Sequence, residues 1–317
     1  IRRAFIKSKF SPSFTYQPER KIQLAGHQPW KNPDDFLYHY TTTAGLIGIL
    51  TSQNIWLTNA GFLNDSEELA HGAGHAVKQL RSQAKDMRSS SKNQDIDNHI
   101  ADTLENIANS IESINAPNAE RFEFPYVASF SKERDDLSQW RGYASDGYCI
   151  AFHCDSLKRH ITPAAEDAIP GIGQNIPILD EVRYGEEAES YLKDHISRVV
   201  IPALKEHGCP APPEGVSTYQ LVKQLMKPPL TLTKHPAFQA ENEWRIYVID
   251  GGPVKFRNSP QGPVPYVEVN FKIEAIAEII VAPGANSHRR KRAAEELLIN
   301  SGYKSVPVNL SDAPFIP

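Results

Sequence analysis

Apolar residues recur along this chain in two rhythms, every second position over short stretches and every third or fourth over longer ones, and the succession of the two predicts its elements. Phe36 to Thr41 (Phe-Leu-Tyr-His-Tyr-Thr) is aromatic and β-prone, Thr42 or Thr43 can cap a helix with Leu46, Ile49 and Leu50 on one face, and Ile55 to Thr58 makes a second short strand. Asn64-Asp65-Ser66-Glu67-Glu68 reads as a helix start, with Asp65 as N-cap and Glu68 reaching back to it; the helix runs to about Met87 and breaks over Arg88 to Lys92. Ile96, Ile100, Leu104, Ile107, Ile111 and Ile114 then mark one face of a long amphipathic helix. Further strands are predicted at Tyr126 to Ser131, Gly147 to His153, Ile176 to Tyr184, Trp244 to Ile249, Tyr266 to Val269 and Ala277 to Val281. Between them fall a short helix at Asp135 to Tyr143, a long one at Glu186 to His207 through Leu192, Ile196, Val199, Val200 and Leu204, and another at Thr218 to Met226. Pro210 to Gly215, Gly251-Gly252-Pro253 and Pro283-Gly284 read as loops and turns, and no internal repeat emerges. Residues 1–33 mix Pro, Lys and isolated aromatics without a period and read as an extended arm.

Charge narrows the function. Thirty-four Lys and Arg against 38 Asp and Glu leave a net charge of −4, which leaves room only for a local basic groove and not for a broad electrostatic grip on nucleic acid. Hydrophobic residues at 40% and charged ones at 23% fit a folded globular chain rather than a disordered or fibrous one. No run approaches the ~18 to 20 apolar residues of a membrane span. Ile1-Arg2-Arg3-Ala4-Phe5 is basic but is not followed by the apolar stretch of roughly 7 to 15 residues that a secretion signal needs, and its lack of an initial Met leaves the native start open. Three cysteines, Cys149, Cys154 and Cys209, argue against a disulfide framework and for a reducing compartment, by default the cytoplasm. Cys149 and Cys154, five apart in a strand-like run, should face opposite sides of a sheet and so cannot share a metal.

Candidate chemistry gathers in four places. His39 sits at the end of a strand just before a capped helix, where a side chain can reach a ligand; the plainer reading is a partly buried histidine satisfied by a carbonyl. In Glu241-Asn242-Glu243-Trp244-Arg245-Ile246-Tyr247 a period of two puts Glu241, Glu243, Arg245 and Tyr247 on one face. Two such acids side by side can serve a sugar transition state, or they can be a wet strand face knitted by weak ion pairs. Phe130 to Tyr143 brings hydroxyls, the Trp140 indole and the Tyr143 phenol between two strands, with aromatic faces fit for a planar ring; packing is the favoured role for Trp140, while that of Tyr143 stays open. His71 and His75 have the i, i+4 spacing of metal ligands, but Gly72 stands where a zinc protease carries its catalytic Glu. Gly171-Ile172-Gly173 lacks the third glycine of a dinucleotide fingerprint, and no Walker loop, nucleophile elbow or kinase signature is present.

Taken in order, Tyr38-His39-Tyr40-Thr41, Phe62-Leu63-Asn64-Asp65-Ser66-Glu67-Glu68, Phe130-Ser131 with Trp140 to Ala144, and Glu241-Asn242-Glu243-Trp244-Arg245 resemble the bacterial family known as domain of unknown function 2971, over roughly Asp35 to Pro283. That family in turn resembles a distant branch of the ADP-ribosyltransferase fold. The resemblance implies an α+β fold, a mixed or antiparallel sheet core with a long helical insertion at about 65–120 and peripheral helices, in a single domain over 34–317. It implies NAD as substrate, with His39 on the adenosine side, Glu243 against the nicotinamide ribose and Glu241 as the acid on the acceptor side. The middle member is open between Ser131 and Tyr143, because Tyr143 is expected on a helix where the superfamily has a strand. Tyr40, Thr41, Ser131, Trp140 and Arg245 are the expected NAD-contacting set, and no metal is implied.

The expectation that follows is an NAD-consuming transferase or NAD glycohydrolase, toxin-like or a defence effector, which breaks the nicotinamide N-glycosidic bond through an oxocarbenium-like transition state. The alternatives are a noncatalytic module that binds a nucleotide or a protein in the same cleft, and, ranked last, a metal-assisted hydrolase or nuclease. The acceptor, protein or nucleic acid, is not encoded in any motif, no membrane partner is expected, and the Ile96 to Ile114 stripe could pack internally or in a homo-oligomer.

Overall fold

In chain order the elements are β1 (Phe36–Thr41), α1 (Thr43–Ser52), β2 (Asn54–Asn59), α2 (Ser66–Ser90), α3 (Gln94–Glu112), β3 (Tyr126–Ser131), α4 (Leu137–Tyr143), β4 (Tyr148–His153), α5 (Cys154–Ile161), β5 (Ile178–Glu181), β6 (Arg183–Tyr184), α6 (Gly185–His195), a π turn (Ile196–Val200), α7 (Ile201–His207), α8 (Thr218–Thr231), β7 (Thr233–Lys234), β8 (Glu243–Val248), β9 (Lys255–Ser259), β10 (Gly262–Asn270), β11 (Ile276–Val281), α9 (Ser287–Asn300) and β12 (Val308–Leu310). The computed structural model describes residues 36–63, 66–90, 94–112, 124–161, 177–207, 218–249, 253–259 and 262–314. The expected arm at 1–33, Asn64 and Asp65 of the helix start, Cys209, the Pro210 to Gly215 loop, Gly171-Ile172-Gly173 and Gly251-Gly252 lie outside the described residues, as do the side chains of His71 and Glu68.

Ten strands form one mostly antiparallel sheet beside several helices, so the architecture is α+β. β3 is its branch point. One edge of β3 pairs along its whole length with β8, from Tyr126↔Val248 to Ser131↔Glu243, and β8 continues to β5. The other edge is divided. Its start pairs with β2 at Thr58↔Val127 and Asn59↔Tyr126, and its end pairs with β1 at Tyr38↔Ser131. From there two arms part: β2 leads to β10 and β9, while β1 leads to β4, β11 and β12. Ser129 falls in the gap between the two contacts, and its carbonyl accepts a hydrogen bond from Nδ1 of His39 at 2.9 Å. The imidazole thus satisfies a ladder carbonyl at the point where the strands diverge.

Alternation along the strands sorts the side chains onto two faces. One face, with Leu37, Phe130, Ile150, Phe152, Trp244 and Ile246, packs under α1, α5 and α9 through Leu46, Ile49, Leu50, Leu157, Ala294 and Leu298. The opposite face carries Tyr38, Tyr40, Cys149, Ala151 and Ile280 against Trp140 of α4. Cys149 and Cys154 lie in different clusters on opposite faces, although Cys154 gets there as the first residue of α5 and not as part of the strand-like run. Gly147 precedes β4 where only a glycine fits, since a Cβ there would run into the Thr41 carbonyl.

A second apolar cluster joins α2, α3, α6, α7 and α8, with Leu80, Ile100, Leu104, Ile107, Leu192, Ile196, Val200, Leu204 and Met226 buried. Of the expected stripe, Ile100, Leu104, Ile107 and Ile111 turn inward against α8 and α7, Ile96 is exposed, and Ile114 lies outside the described residues. Leu192, Ile196, Val200 and Leu204 recur every four residues, and an α-helix of 3.6 residues per turn would carry such a row about 40° further round at each step. The π turn at Ile196–Val200 takes up that drift, so all four stay buried in one row.

Candidate functional site

A cleft opens beside the end of β3 on the Tyr38 and Tyr40 face of the sheet, lined by Tyr38, Tyr40, Ser129, Phe130, Ser131, Gln139, Tyr143, Glu241 and Glu243. Its cavity volume is about 50 Å³, well below the ~300–1,000 Å³ typical of enclosed small-molecule sites, so it is a shallow cleft with an open mouth. α4 forms one wall. Asp136 caps that helix by accepting from the backbone N–H of Ser138 and Gln139, and the Tyr40 hydroxyl accepts from the Asp136 N–H while donating to the Glu133 carbonyl. Trp140 anchors α4 from beneath, edge-on to Tyr40 at 4.8 Å, with its Nε1 donating to Asp135 at 2.6 Å. The last residue of α4, Tyr143, is 46% exposed at the mouth, and its hydroxyl donates to Glu241 Oε1 at 3.2 Å.

The floor is charged and shut off from water. Glu243 and Arg245 project from the same face of β8, at 5% and 4% exposure, with Lys234 of β7 at 2%. Arg245 holds both Glu243 oxygens, Nε to Oε1 at 2.6 Å and Nη2 to Oε2 at 2.9 Å, and its Nη1 donates to the Thr231 carbonyl. Lys234 Nζ reaches Glu241 Oε2 at 2.6 Å and Glu243 Oε2 at 3.2 Å. Two acids and two bases therefore cancel. Burial on its own pushes the Glu243 pKa up, but the charges of Arg245 and Lys234, with hydrogen bonds from Arg245 and Ser129, outweigh it and hold the carboxyl down at about 2. Breaking such a pair leaves an uncompensated buried charge, so these four side chains define one another's positions.

The strand pattern put Glu241 on β8, and here the fold differs. β8 begins at Glu243; Glu241 ends a 3₁₀ turn, and Asn242 between them is left-handed at φ 47°. The two carboxylates still meet, because the β3–α4 loop clamps the turn: Ser131 Oγ donates to the Glu241 carbonyl at 2.7 Å, and the Lys132 N–H to the Asn242 carbonyl at 3.1 Å. Of the two readings left open for this face, the wet one does not hold, because β8 is buried throughout.

Of the sequence candidates, Tyr40, Ser131, Tyr143, Glu241 and Glu243 line the one cleft, and Arg245 lies behind Glu243. Three others do not line it. His39 was expected to converge with Glu243, but it alternates with Tyr38 and Tyr40, so its ring lies on the far face against Phe130, 5.4 Å between centroids, tied to the Ser129 carbonyl. Burial lowers its pKa, partly opposed by that hydrogen bond, which favours a neutral ring with the proton on Nδ1. Thr41 shares the face of His39, and Trp140 is a packing residue, 1% exposed. Ser131 and Tyr143, left open as the middle member, are both at the cleft, Ser131 as a backbone clamp and Tyr143 as a side-chain partner of Glu241. Among the described residues, no group of three or more His, Cys, Asp or Glu could hold a metal ion, and no helix is long and apolar enough to cross a membrane.

Sequence reasoning missed Lys234, Ser129 and Gln139. A single lysine between Thr233 and His235 carries no periodic signal and reads as surface; Gln139, 6% exposed, differs from its neighbours only by standing one turn before Tyr143 on α4. No curated protein and no solved structure matches the chain. Residues 139–246 match the family model described as "Protein of unknown function (DUF2971)". The matched stretch begins on α4 and ends on β8 and encloses Tyr143, Lys234, Glu241, Glu243 and Arg245, so one wall and the floor of the cleft lie in the part of the chain that is similar to the family of the domain of unknown function 2971.

Proposed function

We propose that the cleft breaks the N-glycosidic bond between nicotinamide and ribose in NAD, as an ADP-ribosyltransferase or NAD glycohydrolase does, with Glu241 as the carboxylate that faces the reacting ribose. The observation that carries the reading is the pair of glutamates brought together at one cleft by Lys234, of which Glu241 is the more open, its side chain 17% exposed. An ionised carboxylate beside the ribose stabilises the positive charge that gathers on C1′ as the bond pair leaves with the nicotinamide nitrogen. Water or an acceptor hydroxyl then bonds to C1′ and passes its proton to the Glu241 carboxylate, which returns it to solvent. The lining suits the nicotinamide riboside half of the substrate: Tyr38, Tyr40 and Tyr143 offer aromatic surface, and Ser129, Ser131 and Gln139 offer hydrogen bonds. None of the lining residues is basic, so the diphosphate would lie outside the mouth. His39, on the other face, has no part in this reading.

The test is release of nicotinamide from NAD by the purified protein, followed chromatographically. Glu241→Gln should slow it by about 10²-fold or more, the scale of losing one charged stabiliser of a transition state. No release by the unaltered protein, or equal release by the variant, overturns the reading. One observation favours a second reading, ligand binding without turnover: Arg245 occupies both oxygens of Glu243. Calorimetric binding of NAD with no nicotinamide released would establish that alternative.

A further inference from the structure

Glu243 does not depend on Lys234 for a partner, because Arg245 grips it at both oxygens. The ammonium lies closer to the other acid, at 2.6 Å from Glu241 Oε2 against 3.2 Å from Glu243 Oε2. Its surroundings leave it little freedom. Lys234 is 2% exposed, its backbone is paired with Tyr184 across β6 and β7, and the Phe238 ring lies 4.7 Å from its Nζ. Buried and held between two carboxylates, the ammonium has little room to swing. The two oxygens of Glu241 are thereby divided: Oε2 meets Lys234 below, and Oε1 meets the half-exposed Tyr143 hydroxyl at the mouth.

We propose that Lys234 is the positioning residue of the cleft: by pinning Oε2 of Glu241 it turns Oε1 toward the ligand, so that a ligand hydroxyl or a positively charged ribose carbon meets that oxygen in place of the Tyr143 hydroxyl. The proposal rests on the reading that Glu241 faces the reacting ribose, and it adds a residue that never touches the substrate. Lys234 has no side-chain atom on the cleft lining, so its effect is transmitted through the carboxylate it holds.

The test reads Glu241 through its neighbour and does not require turnover. With 3-fluorotyrosine at position 143, the fluorine resonance reports the oxygen that its hydroxyl meets. Glu241→Gln sets the response to losing the carboxylate; Lys234→Met should move the resonance by a comparable amount, and Lys234→Gln, which keeps a shorter neutral donor, part of the way. A resonance unmoved by Lys234→Met, or by Lys234→Gln should the Met variant not fold, while Glu241→Gln moves it, overturns the proposal. A resonance unmoved by Glu241→Gln overturns it as well, since the Tyr143–Glu241 contact would then be absent in solution. If NAD is turned over, Lys234→Met should lower kcat more than it raises KM, and an equal effect on both counts against positioning. A protein that releases no nicotinamide defeats the catalytic reading alone, and the fluorine measurement still decides the role of Lys234.

Discussion

His39 has the chemistry of a catalytic residue and the surroundings of a structural one. Its place in the chain, at a strand end before a capped helix, was legible, and so was the plainer reading of a ring satisfied by a carbonyl. The face it occupies could not be fixed from the sequence alone, because alternation says which residues share a side but not which side bears a cleft. Removing the ring leaves the Ser129 carbonyl at the branch of the sheet without its donor. His39→Ala should therefore lower the free energy of unfolding by about 1–3 kcal/mol in urea titration, and His39→Asn, which can still donate, by less. Equal losses in the two variants would show that the donor is not what matters. The glutamates are the converse case. Their proximity was read correctly, but through a regular strand that begins only at Glu243, two residues after Glu241.

At the scale of elements, the periodic stretches were the readable ones. Thr42 caps α1 as expected, its Oγ1 accepting from the Gly45 N–H at 3.2 Å, and α3 follows its stripe. α9 went unread because its first turns, Ser287-His288-Arg289-Arg290-Lys291-Arg292, are polar on every side, and only Ala294 and Leu298 are buried on the sheet. β9 went unread for a related reason: as an edge strand paired with β10 alone, it carries no buried residue. The Asn242 turn was invisible to a period-two reading, yet it sets the spacing of the two acids. A β-branched residue resists a positive φ, so Asn242→Val should cost on the order of 1–3 kcal/mol, whereas Asn242→Gly should be nearly neutral. Thermal unfolding of the two variants checks this; comparable melting temperatures would mean that the turn relaxes without strain.

For the molecule as a whole, buried ionisable groups set how it responds to acid. Burial lowers the His195 pKa to about 4, against an ordinary 6.5, partly opposed by its hydrogen bond to the Leu225 carbonyl, and His39 is lowered for the same reason. A depressed folded-state pKa means that the unfolded chain binds the proton more readily, so this stability is complete above pH 6.5 and is lost as pH falls toward about 4. Glu243, held at about 2 against 4.5, adds a second loss between pH 4.5 and about 2. Melting temperature against pH should accordingly fall in two stages. His195→Gln should flatten the first. Glu243→Gln should remove the second while costing about 3–5 kcal/mol at neutral pH, where Arg245 and Lys234 would lose a shared counter-charge; unchanged stability there would mean that the floor rearranges freely. The helical layer beside the sheet has a different tolerance, which follows from the π turn. A wide turn of this kind holds one residue more than the α-helix around it, and that surplus can be excised. Deleting Ser197 should let the helix close into regular turns with α7 still seated on α3, whereas one residue taken from the middle of α3 would swing everything beyond it about 100° off the core.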